Sequence, residues 1–327
     1  MTAPRPSPLL RLLVALAGAG LVVASCSSGD GDARVRTAAS GASTTTAAPA
    51  PPGPLPVGTR TDVLVDPTRP TPGIAGTGVP AADERVLETT YTFPDADGPF
   101  PLIVFAHGHN GHPRKFGELF AAWAGAGFVV AAPAFPLSND EVPGAASPLD
   151  LSEQPGDVSA VLSEALRRND EPGDPLAGRI DPERLAVGGL SLGGATTYLA
   201  AFDDCCRDER FDAAMVLDGL RPDPSGLDLA IGLPLLVVHA DADPVAPYAP
   251  AAEAFAAAAA PTYLLTLHED VHASPFEDAP DPADELVAEV TTAFWRHHLA
   301  GDATAASDLE AAATARPRLA TWRARPA

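Results

Sequence analysis

Hydrophobic and polar positions alternate along Thr59 to Asp66 and again along Arg85 to Phe93. That two-residue period predicts two half-buried strands early in the chain. Leu102 to Ala106 is an unbroken apolar run, the pattern of a strand covered on both faces. Phe128 to Ala132, Leu185 to Val187, Ala213 to Leu217, Leu235 to Val238 and Tyr263 to Leu267 are further strand candidates. Helical periods fall between them, at Phe116 to Ala126, Ser191 to Phe202 and Asp284 to Leu299. Another helix shows Val158, Val161, Leu162, Ala165 and Leu166 on one face, with Asp157 as its N-cap. Trp123 and Trp295 fall on the apolar sides of their helices and are expected in the core. Strand–helix alternation at this spacing predicts an α/β fold, a mostly parallel sheet flanked by helices. Right-handed crossovers would put the functional loops at the C-terminal ends of the strands. Gly219 to Pro234 is too short for a cap domain.

The first residues follow a different rule. Arg5 and Arg11 precede an apolar stretch from Leu12 to Ala24, which ends in Val23-Ala24-Ser25-Cys26. The stretch is too short to span a bilayer but suits a signal peptide. Its small residues before Cys26 resemble the lipobox of bacterial lipoproteins, which implies lipidation of Cys26. Ser27 to Val57 is rich in Ser, Thr, Ala, Gly and Pro, with few groups to bury, and reads as a tether. The chain therefore divides into a signal peptide (1–25), a flexible tether (26–56), one α/β domain (57–299) and a C-terminal tail (300–327). A short helix from Ser307 to Ala315 is expected in the tail. The expected setting is the outer face of a cell membrane, held by lipid at Cys26, or outside the cell as a secreted protein if the lipobox is not used.

Composition narrows the choice of function. The chain has 327 residues and a formal net charge of −22. It lacks a basic stripe to neutralise phosphates, so nucleic acid is not an expected partner. Three cysteines are too few for a disulfide-dense scaffold or a Cys-rich zinc module. Cys205 and Cys206 either form a vicinal disulfide, as export would permit, or stay as two thiols. The acidic runs Asp203 to Asp212 and Glu277 to Glu285 lack calcium-loop spacing and read as solvated surface. His107, His109 and His112 lack a partner zinc motif, so no metal site is expected.

The chemistry concentrates in Gly189-x-Ser191-x-Gly193, between an apolar strand and a helix. A nucleophile on such a sharp turn exposes its hydroxyl. Serine needs a histidine to take its proton and an acid to orient that histidine. His272 follows the last predicted strand and is the expected base. Asp243, in His239-Ala240-Asp241-Ala242-Asp243-Pro244, is the expected acid, with Asp241 and Asp218 as rivals. The oxyanion of the intermediate needs backbone donors. The N–H groups of His109 and Leu192 are the candidates. Phe135, Leu137 and Val142, in the long segment after the fourth strand, either line an acyl pocket or pack locally.

These pieces resemble the α/β-hydrolase superfamily over about Leu102 to Leu299. The residues that carry it are Pro101-Leu102-Ile103-Val104-Phe105-Ala106-His107-Gly108, Gly189-Leu190-Ser191-Leu192-Gly193-Gly194, His239 to Pro244 and Val271-His272. The chain order Ser191, Asp243, His272 is that of the superfamily. Within it the motifs are similar to exported bacterial dienelactone-hydrolase, platelet-activating-factor acetylhydrolase-like and cutinase-like polyester hydrolase groups. The resemblance implies an α/β-hydrolase fold without a cap and a serine esterase, lipase-like or polyester-cleaving. It implies ester substrates, no cofactor and action as a monomer. The same scaffold also supports lactone or peptide hydrolysis, or non-catalytic binding at the envelope.

Overall fold

The structure is a computed structural model that describes residues 53–326. The expected signal peptide, Cys26 and most of the tether lie outside the described residues. The strands are β1 (Val57–Asp66), β2 (Arg85–Pro94), β3 (Phe100–Ala106), β4 (Val129–Ala134), β5 (Ile180–Leu190), β6 (Ala213–Leu217), β7 (Leu235–Ala240), β8 (Thr262–Leu267) and β9 (Ala320–Arg325). The helices are α1 (Gly117–Gly125), α2 (Gln154–Asn169), α3 (Leu192–Phe202), α4 (Tyr248–Ala257), α5 (Asp284–His298) and α6 (Ala305–Thr314). All nine strands of the described residues join one sheet, in the order β1-β2-β4-β3-β5-β6-β7-β8-β9. From β4 to β8 neighbours run parallel. Antiparallel pairs close both ends, with β1 and β2 on one side and β9 on the other. The chain is thus an α/β protein whose mostly parallel sheet is flanked by helices.

The apolar runs explain why the sheet is covered twice. Leu102, Val104, Val187, Val216 and Val237 face α2, α3 and α4. Ile103, Phe105, Ala186, Met215 and Val238 face α1, α5 and α6. Successive side chains point to opposite faces, so a continuous apolar strand feeds both cores. Trp123 and Trp295 are fully buried and meet edge to face at 5.9 Å, as the helical pattern predicts.

Three features depart from the sequence reading. First, Asp157 is not an N-cap: α2 begins at Gln154, which puts Asp157 one turn inside. Its carboxylate accepts from Arg85 Nε and Nη2, each at 2.6 Å, and from Arg69 Nη1 at 2.8 Å. Burial pushes this carboxyl up, and the Arg85 guanidinium opposes that push. Second, the described part of the expected tail, residues 300–326, does not lie outside the domain. These residues supply the expected helix as α6, and β9 pairs with β8 along its length. Ala-Thr-Trp-Arg-Ala-Arg reads as polar because an edge strand has solvent on one side. Third, α4 has no counterpart in the sequence pattern, because its Ala-rich stretch has little periodic contrast.

Candidate active site

Every loop that matters leaves the C-terminal end of a parallel strand. Between β5 and α3 the chain turns at Ser191, which has φ 57° and ψ −114°. A residue other than glycine adopts that conformation only when its surroundings enforce it. Ser191 N donates to Leu217 O at 2.9 Å, and Leu220 N donates to Ser191 O at 3.0 Å. Gly189 and Gly193 make the turn sterically feasible. A Cβ on Gly189 would strike the Gly193 carbonyl, and one on Gly193 would strike the Ala106 carbonyl. Among the described residues, the other non-glycine residues at positive φ are Asn110, Asp218, Glu269 and Ala273. All four follow strands β3, β6 or β8, at the same edge.

The turn holds its hydroxyl against His272, whose Nε2 is 2.8 Å from Ser191 Oγ. His272 Nδ1 is 2.6 Å from Asp243 Oδ2. The carboxylate accepts from Nδ1–H, which leaves Nε2 as the acceptor for the serine hydroxyl. Asp243 is itself fixed, because its Oδ1 accepts from Val245 N at 2.7 Å and Ala246 N at 2.9 Å. The fully buried His239 steadies that loop, with Nε2 2.8 Å from Ala246 O.

The rival acids sit elsewhere. Asp241 faces His268 Nδ1 at 2.9 Å and accepts from Glu269 N at 2.8 Å. Asp218 Oδ2 is 4.0 Å from His272 Nδ1, too far for a hydrogen bond. It is engaged by Ala240 N at 2.8 Å and Ala273 N at 3.2 Å. Burial pushes the Asp218 carboxyl up to about 7, and Asp243 adds to the push. Asp218, Asp243 and His272 bring candidate ligand atoms within 4.8 Å of one another. The N–H donors just described already occupy those oxygens.

The loop after β3 runs alongside Ser191. His107 is buried and neutral, since burial lowers its imidazole to about 4. Its Nε2 accepts from Phe135 N at 3.0 Å, so Nδ1 carries the proton toward Gly108 O at 2.7 Å. His109 is exposed at the lip of the site. Asn110 N donates to Ser138 O at 2.7 Å and Gly111 N to Gly108 O at 3.0 Å. Among the described residues, no acceptor meets the N–H of His109. Leu192 opens α3, where first-turn N–H groups lack intrahelical acceptors.

Phe135 and Leu137 do not line an open acyl pocket. Both are 0% exposed, and the Phe135 ring packs on His107 at 4.9 Å. The segment folds inward because buried Asp150 collects its backbone: Asp150 Oδ2 accepts from Leu137 N at 3.0 Å. Val245, two residues after Asp243, and Val271, just before His272, are 53% and 49% exposed. Cys205 and Cys206 are bonded to each other as a vicinal disulfide just beyond α3.

Sequence reasoning passed over Asp150, Gln154, Ser138 and Thr196, all buried polar residues around the site. Only Gln154 lies on α2, and no local pattern sets the four apart from surface polar residues. No family model matches the chain, and no curated protein matches it.

Proposed function

We propose that this chain is a serine hydrolase of the α/β-hydrolase type that cleaves carboxylic esters through an acyl-enzyme. The observation that carries the reading is the unbroken line from Asp243 to His272 to Ser191, at 2.6 and 2.8 Å. Its nucleophile stands on a strained strand-to-helix turn.

In this mechanism Ser191 Oγ attacks the ester carbonyl carbon while His272 Nε2 takes the hydroxyl proton. Asp243 holds the Nδ1 proton and balances the imidazolium charge. The carbonyl oxygen becomes an oxyanion and accepts hydrogen bonds from the N–H groups of His109 and Leu192. The tetrahedral intermediate collapses, and the leaving alcohol takes its proton from His272. Water then attacks the acyl carbon as it loses a proton to the same nitrogen; the bond from Ser191 Oγ to the acyl carbon breaks, the acid leaves, and His272 returns the proton to Oγ. Water and the triad supply every proton transfer, so the scheme requires no cofactor.

The reading includes export and a lipid anchor at Cys26, with the tether carrying a monomeric domain off the membrane. Among the described residues, no helix is long and apolar enough to cross a membrane. Exposed Val245 and Val271 beside the acid and base favour apolar esters, up to lipid-like or polyester chains. The test is hydrolysis of p-nitrophenyl esters from acetate to palmitate, with matched lactone and amide substrates, by the chain and its Ser191→Ala variant. Ester turnover that vanishes in the variant is the expected result. Faster lactone or amide cleavage would change the substrate class, and no turnover of any substrate would defeat the reading.

A further inference from the structure

We propose that a polar relay, running from the backbone of exposed Asn110 through buried Ser138, Gln154 and Thr196, sets the spacing between the two oxyanion donors, the N–H groups of His109 and Leu192. The inference rests on the hydrolase reading above. It names positioning residues for that reaction.

The two donors belong to separate elements. His109 lies on the turn after β3, and Leu192 is the first residue of α3. An oxyanion hole works only when both N–H groups stand about 2.7–3.1 Å from one oxygen. Something must therefore tie the turn to the helix.

The relay begins beside the first donor. Asn110 N donates to Ser138 O at 2.7 Å. Ser138 Oγ accepts from Gln154 Nε2 at 2.9 Å. Gln154 Oε1 accepts the Thr196 hydroxyl. Thr196 lies one helical turn beyond Leu192, and its Oγ1 is 3.1 Å from the Leu192 carbonyl. The path thus runs from the residue after one donor to the helical turn that begins with the other.

The side chains of Ser138, Gln154 and Thr196 are each 0% exposed. A buried hydroxyl or amide is costly unless paired, and apolar residues could fill the same volume without that cost. Here all three are paired. Ser138 Oγ donates to Asp150 Oδ2 at 3.1 Å, and Asp150 Oδ1 takes Arg85 Nη2 at 2.7 Å. The hub is therefore pinned to the ion cluster on β2 and α2. A second link reinforces the turn: Asp140 N donates to Gly111 O at 3.1 Å.

The experiment compares Thr196→Val, which keeps the shape and removes the hydroxyl, with Thr196→Ser, which keeps the hydroxyl. Both are made in the full chain. The readouts are kcat and KM on p-nitrophenyl butyrate, the pH profile of kcat/KM, thermal unfolding and hydrogen exchange of the segment His107–Gly111. In Thr196→Val, kcat should fall about 10–100-fold with KM within about twofold, as for a misplaced catalytic group. The pH profile should keep its shape, and the segment should exchange faster. Thr196→Ser should restore kcat and exchange to near wild type. Equal kcat in wild type and Thr196→Val would overturn the relay. So would equal losses in both variants, or a loss that only tracks the folded fraction. If the wild type has no Ser191-dependent hydrolysis, the hydrolase reading itself fails. Exchange then decides: acceleration in Thr196→Val alone supports the tie between turn and helix, and unchanged exchange overturns it.

Discussion

The triad and the Arg85 cluster are both groups of buried charge, yet they are built in opposite ways. Arg85, Asp150 and Asp157 are each 0% exposed, and two oxygens of Asp157 meet two nitrogens of Arg85. Fixed charges in low dielectric survive only when paired this closely. The triad is looser and faces the edge of the sheet. The His272 side chain keeps 16% of its surface exposed, and the Ser191 hydroxyl has one partner, through the proton that the proposed reaction removes. One arrangement is closed because its work is to hold β2 against α2 and the segment that follows β4. The other stays open on one side, which in the proposed reaction lets a substrate reach it.

The sharpest test of this contrast is Ser191→Ala. It should lower ester turnover by about 10⁴–10⁶-fold, as removal of a triad nucleophile does. The variant's unfolding free energy should stay within about 1 kcal/mol of the wild type, because one partly exposed hydrogen bond is lost. Urea melts beside p-nitrophenyl ester assays check both halves. A large loss of stability would make the triad a structural cluster after all. Asp243→Asn comes next. It disturbs the histidine tautomer and should cost about 10⁴-fold in kcat. Asp241→Asn should leave kcat within about threefold, because Asp241 serves His268 rather than His272. Equal losses in the two variants would erase the distinction between them.

Arg85→Met probes the closed cluster. Its removal strands Asp150 and Asp157 without their main counter-ion and should cost about 3–5 kcal/mol of stability. Arg69 still reaches Asp157, so the loss should fall mainly on Asp150 and the segment that it holds. Chemical denaturation would measure the loss. A change below about 1 kcal/mol would show that water reaches the carboxylates and that the cluster is not closed.

The same contrast explains what could be read before the fold was known. Ser191, Asp243 and His272 sit in short windows where an apolar run stops at a turn, so local pattern exposes them. The strands of the parallel sheet were legible for the same reason, since burial on both faces leaves continuous apolar runs. Arg85 and Asp157 are 72 positions apart, and Arg85 and Asp150 are 65 apart. Nothing local joins them, and a buried charge looks like a surface charge until its partner is known. Strand β9 was hidden by the reverse effect, with two arginines on an edge strand. Phe135 and Leu137 were ambiguous because an apolar residue beside a site fits a pocket wall or a core equally well. Asp150 and His107 decide the matter by drawing the N–H groups of Leu137 and Phe135 inward.

Asp218 lies between the two kinds of cluster. It is 0% exposed like the ion cluster, yet no cation pairs with it at hydrogen-bond distance. Burial raises its carboxyl from 3.8 to about 7, helped by Asp243 and Asp270, while Ala240 and Ala273 N–H groups pull it down. Between those values the folded chain keeps a proton that the unfolded chain has released. The folded state then binds more protons, so this group lowers stability as pH rises from about 4 through about 7. Below that window both states are protonated and the penalty is absent. The amide that Asp218→Asn puts in its place cannot titrate. The stability of Asp218→Asn relative to wild type should therefore climb across the window and level off above it. A constant offset of about 0.5–1.5 kcal/mol should accompany the climb, since the amide can accept from Ala240 but not also from Ala273. Activity should fall by less than about tenfold, because Asp243 still holds His272. Urea midpoints for both proteins at pH values from about 4 to about 8 give the difference curve. A flat curve would mean that Asp218 is ionised throughout, and would group it with the triad's charges rather than with a buried neutral support.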